Sequence, residues 1–420
     1  MIDFNKSFFV YGLGVSGTSV INFLRNYKYN FKAYDDDDSK IKLLKKKEIC
    51  KKENLLKILE EVSYICISPS ISLRNHLILL KFKHKIILDL DILGSLIEKE
   101  NNVKTIGITG TEGKSSVGNY LNSTLNKKNK SILLGNIGTT ILQKKNIRKI
   151  INSYDYIIFE LSSYQLDKIK YLKLNIGCIT NLYPDHLKYH LNFKKYIETK
   201  LSIKNLLKSK GRVLINLGTL KVIDDKKLKI SKKFKIFRIK KISPTNVFVN
   251  ENISLVSEIM SFFGHTINLS ENIDINNLPF RNQIIVNTRK LKIYNDSKST
   301  NILNSIKTFN LINSNSKILI LGGLLKKINS EIPKIQNSTI LIFGKDVDKF
   351  YQILHHSNSN IVKFLNLKDL VIFLSHLINA SNNTNHVLFS PGGESFDFYK
   401  NFSVRGNHFN KLVKKYINES

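Results

Sequence analysis

Twice in its N-terminal third the chain runs from a short apolar, β-branched stretch through a glycine-rich turn into an amphipathic helical stretch. A strand–turn–helix unit of this kind returns to the sheet by a right-handed crossover, so it commits a chain to parallel, helix-covered sheets. The alternation persists almost to the C-terminus. Ser7–Tyr11, Phe31–Tyr34, Tyr64–Ile67 and Lys85–Leu88 read as strands of a first series. Val103–Thr109, Ser131–Leu134, Tyr154–Glu160, Ile176–Thr180 and Arg212–Asn216 form a second, and Leu291–Tyr294, Lys317–Leu321, Ser338–Phe343, Asn360–Phe364 and His386–Phe389 a third. Between the last two lies a polar, weakly periodic stretch around residues 220–280, with a junction predicted near Asn277, Leu278 and Pro279. The expectation is an α/β protein of three tandem α/β domains, 1–98, 99–278 and 279–420: Rossmann-like, P-loop and Rossmann-like in turn.

A chain of 420 residues is too long for one hydrophobic core and fits two or three domains. Its longest apolar runs, such as Ile318–Leu321, fall far short of the roughly 20 residues of a membrane span. Met1 leads directly into the strand-like Phe8, Phe9 and Val10, with no apolar leader between them. Cys50, Cys66 and Cys178 are odd in number and widely spaced, which excludes a disulfide framework and fits a reducing cytoplasm. Lys and Arg number 66 against 33 Asp and Glu, a formal charge of +33 that raises a nucleic-acid partner as an alternative. The basic residues are mostly lysines spread over the whole chain, with abundant Asn and Ile. That pattern reads as compositional drift, and the expectation is no nucleic-acid partner.

Two motifs carry chemistry. Gly12, Gly14 and Gly17 follow a strand and open a helix, and Asp35 closes the next strand. This is the dinucleotide-binding fingerprint, in which glycines let backbone N–H groups approach a diphosphate at a helix N-terminus. Any nucleotide diphosphate satisfies it, a nicotinamide being one option. Gly107, Gly110, Thr111, Glu112, Gly113, Lys114, Ser115 and Ser116 form a phosphate-cradling loop, with Ile108 at the first glycine position of the strict P-loop. Lys114 there reaches β/γ-phosphates and Ser115 ligates Mg²⁺. Glu160 and the pair Asp185–His186 each end a strand and so fall on the same rim, where a metal-binding carboxylate belongs in an open α/β sheet.

Taken together, the stretch Gly110–Ser115, Gly135–Gly138, Glu160–Gln165, Asp185–His186 and Lys200 resembles the Mur ligase family. Asn295–Asn301, Leu321–Gly323, Ser390–Pro391, Ser395–Asp397 and Asn401–Asn407 are similar to its D-glutamate-adding branch. The resemblance is collinear over nearly the whole chain. It implies ATP- and Mg²⁺-dependent amide formation in peptidoglycan synthesis, through an acyl phosphate on a UDP-linked muramoyl-alanine that D-glutamate then attacks. Lys114, His186, Lys200 and Lys326 are then catalytic. Val15, Ser16, Gly17 and Asp35 hold the uridine diphosphate end, while Asn136 and His186 reach the sugar–peptide end. Gly110–Ser116, Asn252, Arg281 and Asp296 bind ATP, and Lys298, Thr300, Lys326, Ser395 and Phe402 form the D-glutamate pocket. Ser115, Glu160, His186 and Lys200 serve two Mg²⁺ ions, Lys200 as a carbamate formed with CO₂. A monomer with small-molecule substrates and no membrane partner is implied.

The chain departs from the family pattern at four places. Ser70 stands where glycine is usual, Glu251 precedes Asn252 in place of histidine, Phe280 precedes Arg281 in place of histidine, and Gly392, Gly393 and Glu394 precede Ser395. None removes a phosphate, metal or carboxylate contact. Two alternatives stay open on the residues: another amide ligase of the family with a different amino acid, and a basic nucleic-acid-binding P-loop NTPase.

Overall fold

A computed structural model of the chain describes all residues except 101, 137–139, 241–246, 267–278, 327–330, 382 and 418–420. Ile137 and Gly138 of the Gly135–Gly138 motif, and Asn277 and Leu278 of the expected junction, lie outside the described residues.

The strands are β1 Phe8–Tyr11, β2 Phe31–Tyr34, β3 Tyr64–Ile67, β4 Ile86–Ile87, β5 Lys104–Thr109, β6 Ser131–Gly135, β7 Tyr156–Glu160 and β8 Leu174–Ile179. They continue as β9 Leu207–Asn216, β10 Phe234–Phe237, β11 Gln283–Asn287, β12 Leu291–Asn295, β13 Ser316–Gly322, β14 Gln336–Phe343, β15 Asn358–Phe364 and β16 Asn385–Gly392. Three sheets result, ordered β2-β1-β3-β4, β10-β9-β8-β5-β7-β6 and β11-β12-β16-β13-β14-β15. Pairing is parallel throughout, apart from the antiparallel β11 against β12. Helices cover the sheets, so central strands are apolar on both faces; β7 is buried over its full length. The α/β class and the three tandem sheet regions agree with the sequence pattern.

The chain divides into two compact units, Met1–Ile242 with Phe248–Ile273 and Ser243–Val247 with Asp274–Ser420. The first holds two sheets and the second holds the third.

The abundant asparagines have a structural use. Asn192, Asn216, Asn301, Asn366 and Asn401 each cap a helix by accepting a backbone N–H of its first turn. The stretch around residues 220–280 holds more structure than its weak periodicity suggests. It contains the solvent-edged β10 and the 16-residue helix Val247–Phe262. No helix among the described residues is long and apolar enough to cross a membrane. Cys50, Cys66 and Cys178 are all buried and free.

Candidate active site

Both glycine turns sit where neighbouring strands lead away on opposite sides, β1 between β2 and β3 and β5 between β7 and β8. Such switch points open a crevice at the C-terminal ends of the strands. In the first turn, a Cβ on Gly17 would lie 1.8 Å from the Gly12 carbonyl oxygen, so only glycine lets the helix Val15–Asn26 start so close to β1. Val15 is exposed at the helix start, and Ser16 hydrogen-bonds the buried Asp89. Asp35 accepts the N–H groups of Leu13 at 2.5 Å and Asp37 at 2.9 Å. Its carboxylate therefore braces the turn from within.

The second turn is clamped to the next strand. Gly110, at φ +139°, leaves no room for a Cβ against Thr180, and Thr180 Oγ1 donates to the Glu112 carbonyl. Asn181 accepts the Glu112 N–H at 2.9 Å, and Thr111 meets both Tyr183 and the Tyr196 hydroxyl. The loop is thus held open around backbone amides that head the helix Lys114–Leu125. Lys114 Nζ folds back onto the carbonyls of Gly110 at 3.0 Å and Thr111 at 2.7 Å. Ser115 is buried at the helix start and Ser116 follows it. Asn252 borders the loop, with its Oδ1 2.7 Å from where a Gly113 Cβ would stand. Beside it, Asn181, Tyr183, Asn216, Thr219 and Glu251 line a cavity of about 100 Å³. Burial raises the Glu251 carboxyl above its usual range.

Glu160 pairs in register with Ile108 on one side and Gly135 on the other, directly beside the strand that feeds the loop. It is 2% exposed; Oε1 receives Asn136 Nδ2 at 3.4 Å, whereas Oε2 is buried with no hydrogen-bond partner among the described residues. A buried carboxylate oxygen without a donor is costly unless a cation meets it. With the Ser115 hydroxyl, this oxygen-only donor set suits Mg²⁺ completed by substrate phosphates.

Lys200 is the least ordinary lysine in the chain. Asn192 caps its helix, Phe193–Leu201, whose buried face is Tyr196, Ile197, Lys200 and Leu201. Its amine, 2% exposed, donates to Gly110 O at 2.7 Å and lies 4.8 Å from the Tyr196 ring centroid. Burial first, and Lys114 second, hold it well below the ordinary lysine range, while Asp185 and Glu160 oppose them. His186, at φ 52°, contacts the Tyr164 hydroxyl through Nδ1 at 3.2 Å and Asp185 through Nε2 at 3.4 Å. The P-loop, Glu160, Asp185–His186 and Lys200 thus share one strand-end rim.

The second unit gathers the remaining candidates by itself. Asp296 is half-buried, accepts Ser390 Oγ at 2.8 Å and the Asn282 N–H at 3.3 Å, and is raised by desolvation to about 7 despite Arg281 nearby. Lys298 Nζ stands 4.1 Å from the Phe402 ring centroid, and Lys326 Nζ 3.5 Å from Glu394, next to the buried Ser395. Thr300 lies in the segment just before the helix Ile302–Asn310. Phe280, at φ 61°, is half-wrapped by the backbone at Gly406, where any Cβ would strike its ring. The sequence did not single out Lys168 or Tyr189, which with Tyr164 of the Glu160–Gln165 motif tie the Ser68–Ser70 turn to the His186 rim.

Residues 108–279 match the Mur ligase middle domain family. The chain is 33% identical to a UDP-N-acetylmuramoylalanine–D-glutamate ligase of Buchnera aphidicola subsp. Acyrthosiphon pisum, over 98% of each chain. It is 29% identical to the enzyme of that name from Fervidobacterium nodosum, over 86% of each. In fold it is similar to the MurF ligase of Thermotoga maritima, solved in complex with ADP, with a TM-score of 0.56, 12% identity and coverage of 87% of this chain and 92% of that one.

Proposed function

Because the chain belongs to the Mur ligase family, among its UDP-N-acetylmuramoylalanine–D-glutamate ligases, we infer that it is an ATP-dependent ligase of peptidoglycan synthesis that joins D-glutamate to UDP-N-acetylmuramoyl-L-alanine. One structural observation carries the reading. The P-loop, the unpartnered Glu160 oxygen, Asp185–His186 and the buried Lys200 converge on the C-terminal edge of a single sheet.

A carboxylate is a poor electrophile, so the muramoyl-alanine carboxylate first takes the γ-phosphoryl group of ATP and becomes an acyl phosphate. The D-glutamate amine attacks its carbonyl carbon, the tetrahedral species expels phosphate, and the nitrogen loses a proton. Such chemistry depends on positioning and charge neutralisation. Loop amides and Lys114 hold the phosphates, Lys114 exchanging the carbonyls of Gly110 and Thr111 for phosphate oxygens. Ser115 and Glu160 would hold Mg²⁺, which when bound neutralises charge on the β- and γ-phosphates. Asn252 and the Glu251-lined cavity take the adenosine end.

Lys200 is suited to a second ion as an N-carboxylate. Burial favours its neutral amine, the form that adds CO₂ and releases a proton to leave a carbamate. That change turns a repelling ammonium into a ligand, shared with His186. The first sheet region, 1–98, holds the UDP end through Val15, Ser16, Gly17 and Asp35, with Asn136 and His186 toward the sugar–peptide. In the region 279–420, Arg281 and Asp296 clamp the nucleotide. Lys298, Thr300, Lys326, Ser395 and Phe402 bind D-glutamate there, its carboxylates pairing with the lysines. Residues 99–278 form the ATP-binding domain. The protein acts as a cytoplasmic monomer.

The test is amino-acid competition. Purified protein with ATP, Mg²⁺, bicarbonate and UDP-N-acetylmuramoyl-L-alanine releases phosphate when D-glutamate is added. Turnover with L-glutamate, L-lysine or diaminopimelate but not with D-glutamate would sink the assignment.

A further inference from the structure

Lys168 is a buried cation at the seam between the first two sheet regions, both within the first compact unit. Its side chain is 1% exposed. The ammonium donates to Pro69 O at 2.9 Å, Tyr164 O at 3.2 Å and the Tyr189 hydroxyl at 2.6 Å. An ammonium has three N–H donors, and here all three have acceptors. Asp167 Oδ2 lies 3.9 Å away and accepts the Tyr189 hydroxyl at 2.8 Å, so the charge is paired as well.

Each partner leads toward a substrate-holding element. Pro69 is the centre of the Ser68–Ser70 turn, whose Ser68 N–H donates to Tyr11 O. Ser68 and Ile71 also pack within 3.3 Å of where a Gly12 Cβ would stand, so this turn backs directly onto the first glycine turn. On the other side, the Tyr189 ring meets Tyr164 edge-on at 4.5 Å, and the Tyr164 hydroxyl contacts His186. Arg74, from the first sheet region, adds a bond to Tyr189 O at 3.0 Å.

We propose that Lys168 is a positioning residue for the sugar-nucleotide substrate: by gripping the Pro69 carbonyl it keeps the Gly12–Gly17 turn in register with the His186 rim. The proposal rests on the function inferred above. It goes further in assigning the setting of the distance between the diphosphate turn and the reaction rim to one lysine that touches neither substrate. The consequence is selective. Losing the grip loosens the diphosphate turn and leaves the P-loop intact, because the ammonium's three hydrogen bonds go to Pro69, Tyr164 and Tyr189.

Lys168→Met keeps the length and apolar stem of the side chain and removes the donors. The expected result is a KM for UDP-N-acetylmuramoyl-L-alanine raised about tenfold and a comparably weakened affinity for UDP by calorimetry. Affinity for a non-hydrolysable ATP analogue stays within about twofold. Tyr189→Phe, which removes one acceptor and keeps the ring, moves the same two readouts in the same direction by less, and decides the matter if Lys168→Met does not fold. Unchanged UDP affinity, or equal losses toward UDP and ATP, overturns the proposal. UDP binding needs no turnover, so failure of the wild-type ligation assay would count against the inferred function and leave this test standing.

Discussion

The amine of Lys200 donates to the Gly110 carbonyl at 2.7 Å, joining the helix Phe193–Leu201 to the glycine turn that follows β5. A lysine that braces a phosphate loop from below, out of reach of water, is held by burial toward its neutral form. Lys200→Ala is expected to lower ligation at least about 100-fold. Adding formate or acetate partly restores it, because a small carboxylate can occupy the space of the missing ligand. Carbon spectra with labelled bicarbonate are expected to contain a carbamate signal in the wild type that the variant lacks.

Lys114 Nζ donates to the Gly110 and Thr111 carbonyls of its own loop at 3.0 and 2.7 Å, and these bonds contribute little to the fold. Lys114→Ala should therefore reduce ATP-dependent turnover by about 10²–10³-fold while shifting Tm by only a few degrees. Phosphate release and calorimetric melting measure the two effects separately. Near-normal turnover would contradict the phosphate role.

Gly17→Ala places a methyl group 1.8 Å from the Gly12 carbonyl oxygen, against backbone that has little room to yield. Overpacking of this kind costs about 1–3 kcal/mol. UDP affinity should fall, because the helix start must move away from the turn, while affinity for an ATP analogue is retained. Equal weakening toward both nucleotides would show the two turns to be one cooperative element.

Asp296 is raised by burial to about 7, against an ordinary carboxylate near 4. Between those values the folded chain binds a proton that the unfolded chain has released. Stability therefore falls as pH rises from about 4 to about 7, by no more than roughly 4 kcal/mol from this group. Asp296→Asn removes the titration and still offers partners to Ser390 and Asn282. Scanning calorimetry of ligand-free protein should show the variant gaining on the wild type as pH rises through that window. Parallel melting curves would assign the pH dependence elsewhere.

Much of the site was legible because its signals are local. A glycine between an apolar strand and a helix, or a carboxylate at a strand's end, reports a backbone geometry that neighbouring residues dictate. Glu160 and His186 were placed on the rim from strand ends alone, and the structure brings both there. Asp35 shows the limit of motif reading. Its spacing marks it as part of the diphosphate fingerprint, and only the fold shows that its oxygens also hold the N–H groups of Leu13 and Asp37. The edge strands β10 and β11 leave no sequence signal because a solvated edge imposes no alternation of buried side chains, β10 burying only Phe237 fully.

Sequence alone determined the α/β class, the succession of strands and helices along the chain and the positions of the two glycine-rich turns, since each follows from side-chain periodicity and backbone freedom within a few residues. Tertiary structure decided how the buried lysines are held. Lys168 looks like dozens of solvated neighbours, and Lys200 stands apart from them in the sequence only by family resemblance, until distant segments enclose both; burial without water is what makes their hydrogen bonds and protonation consequential. The joining of the first two sheet regions was likewise a tertiary decision. It rests on Asp91 accepting the N–H groups of Lys170 and Tyr171, a pairing of carboxylate with remote backbone that no local pattern encodes.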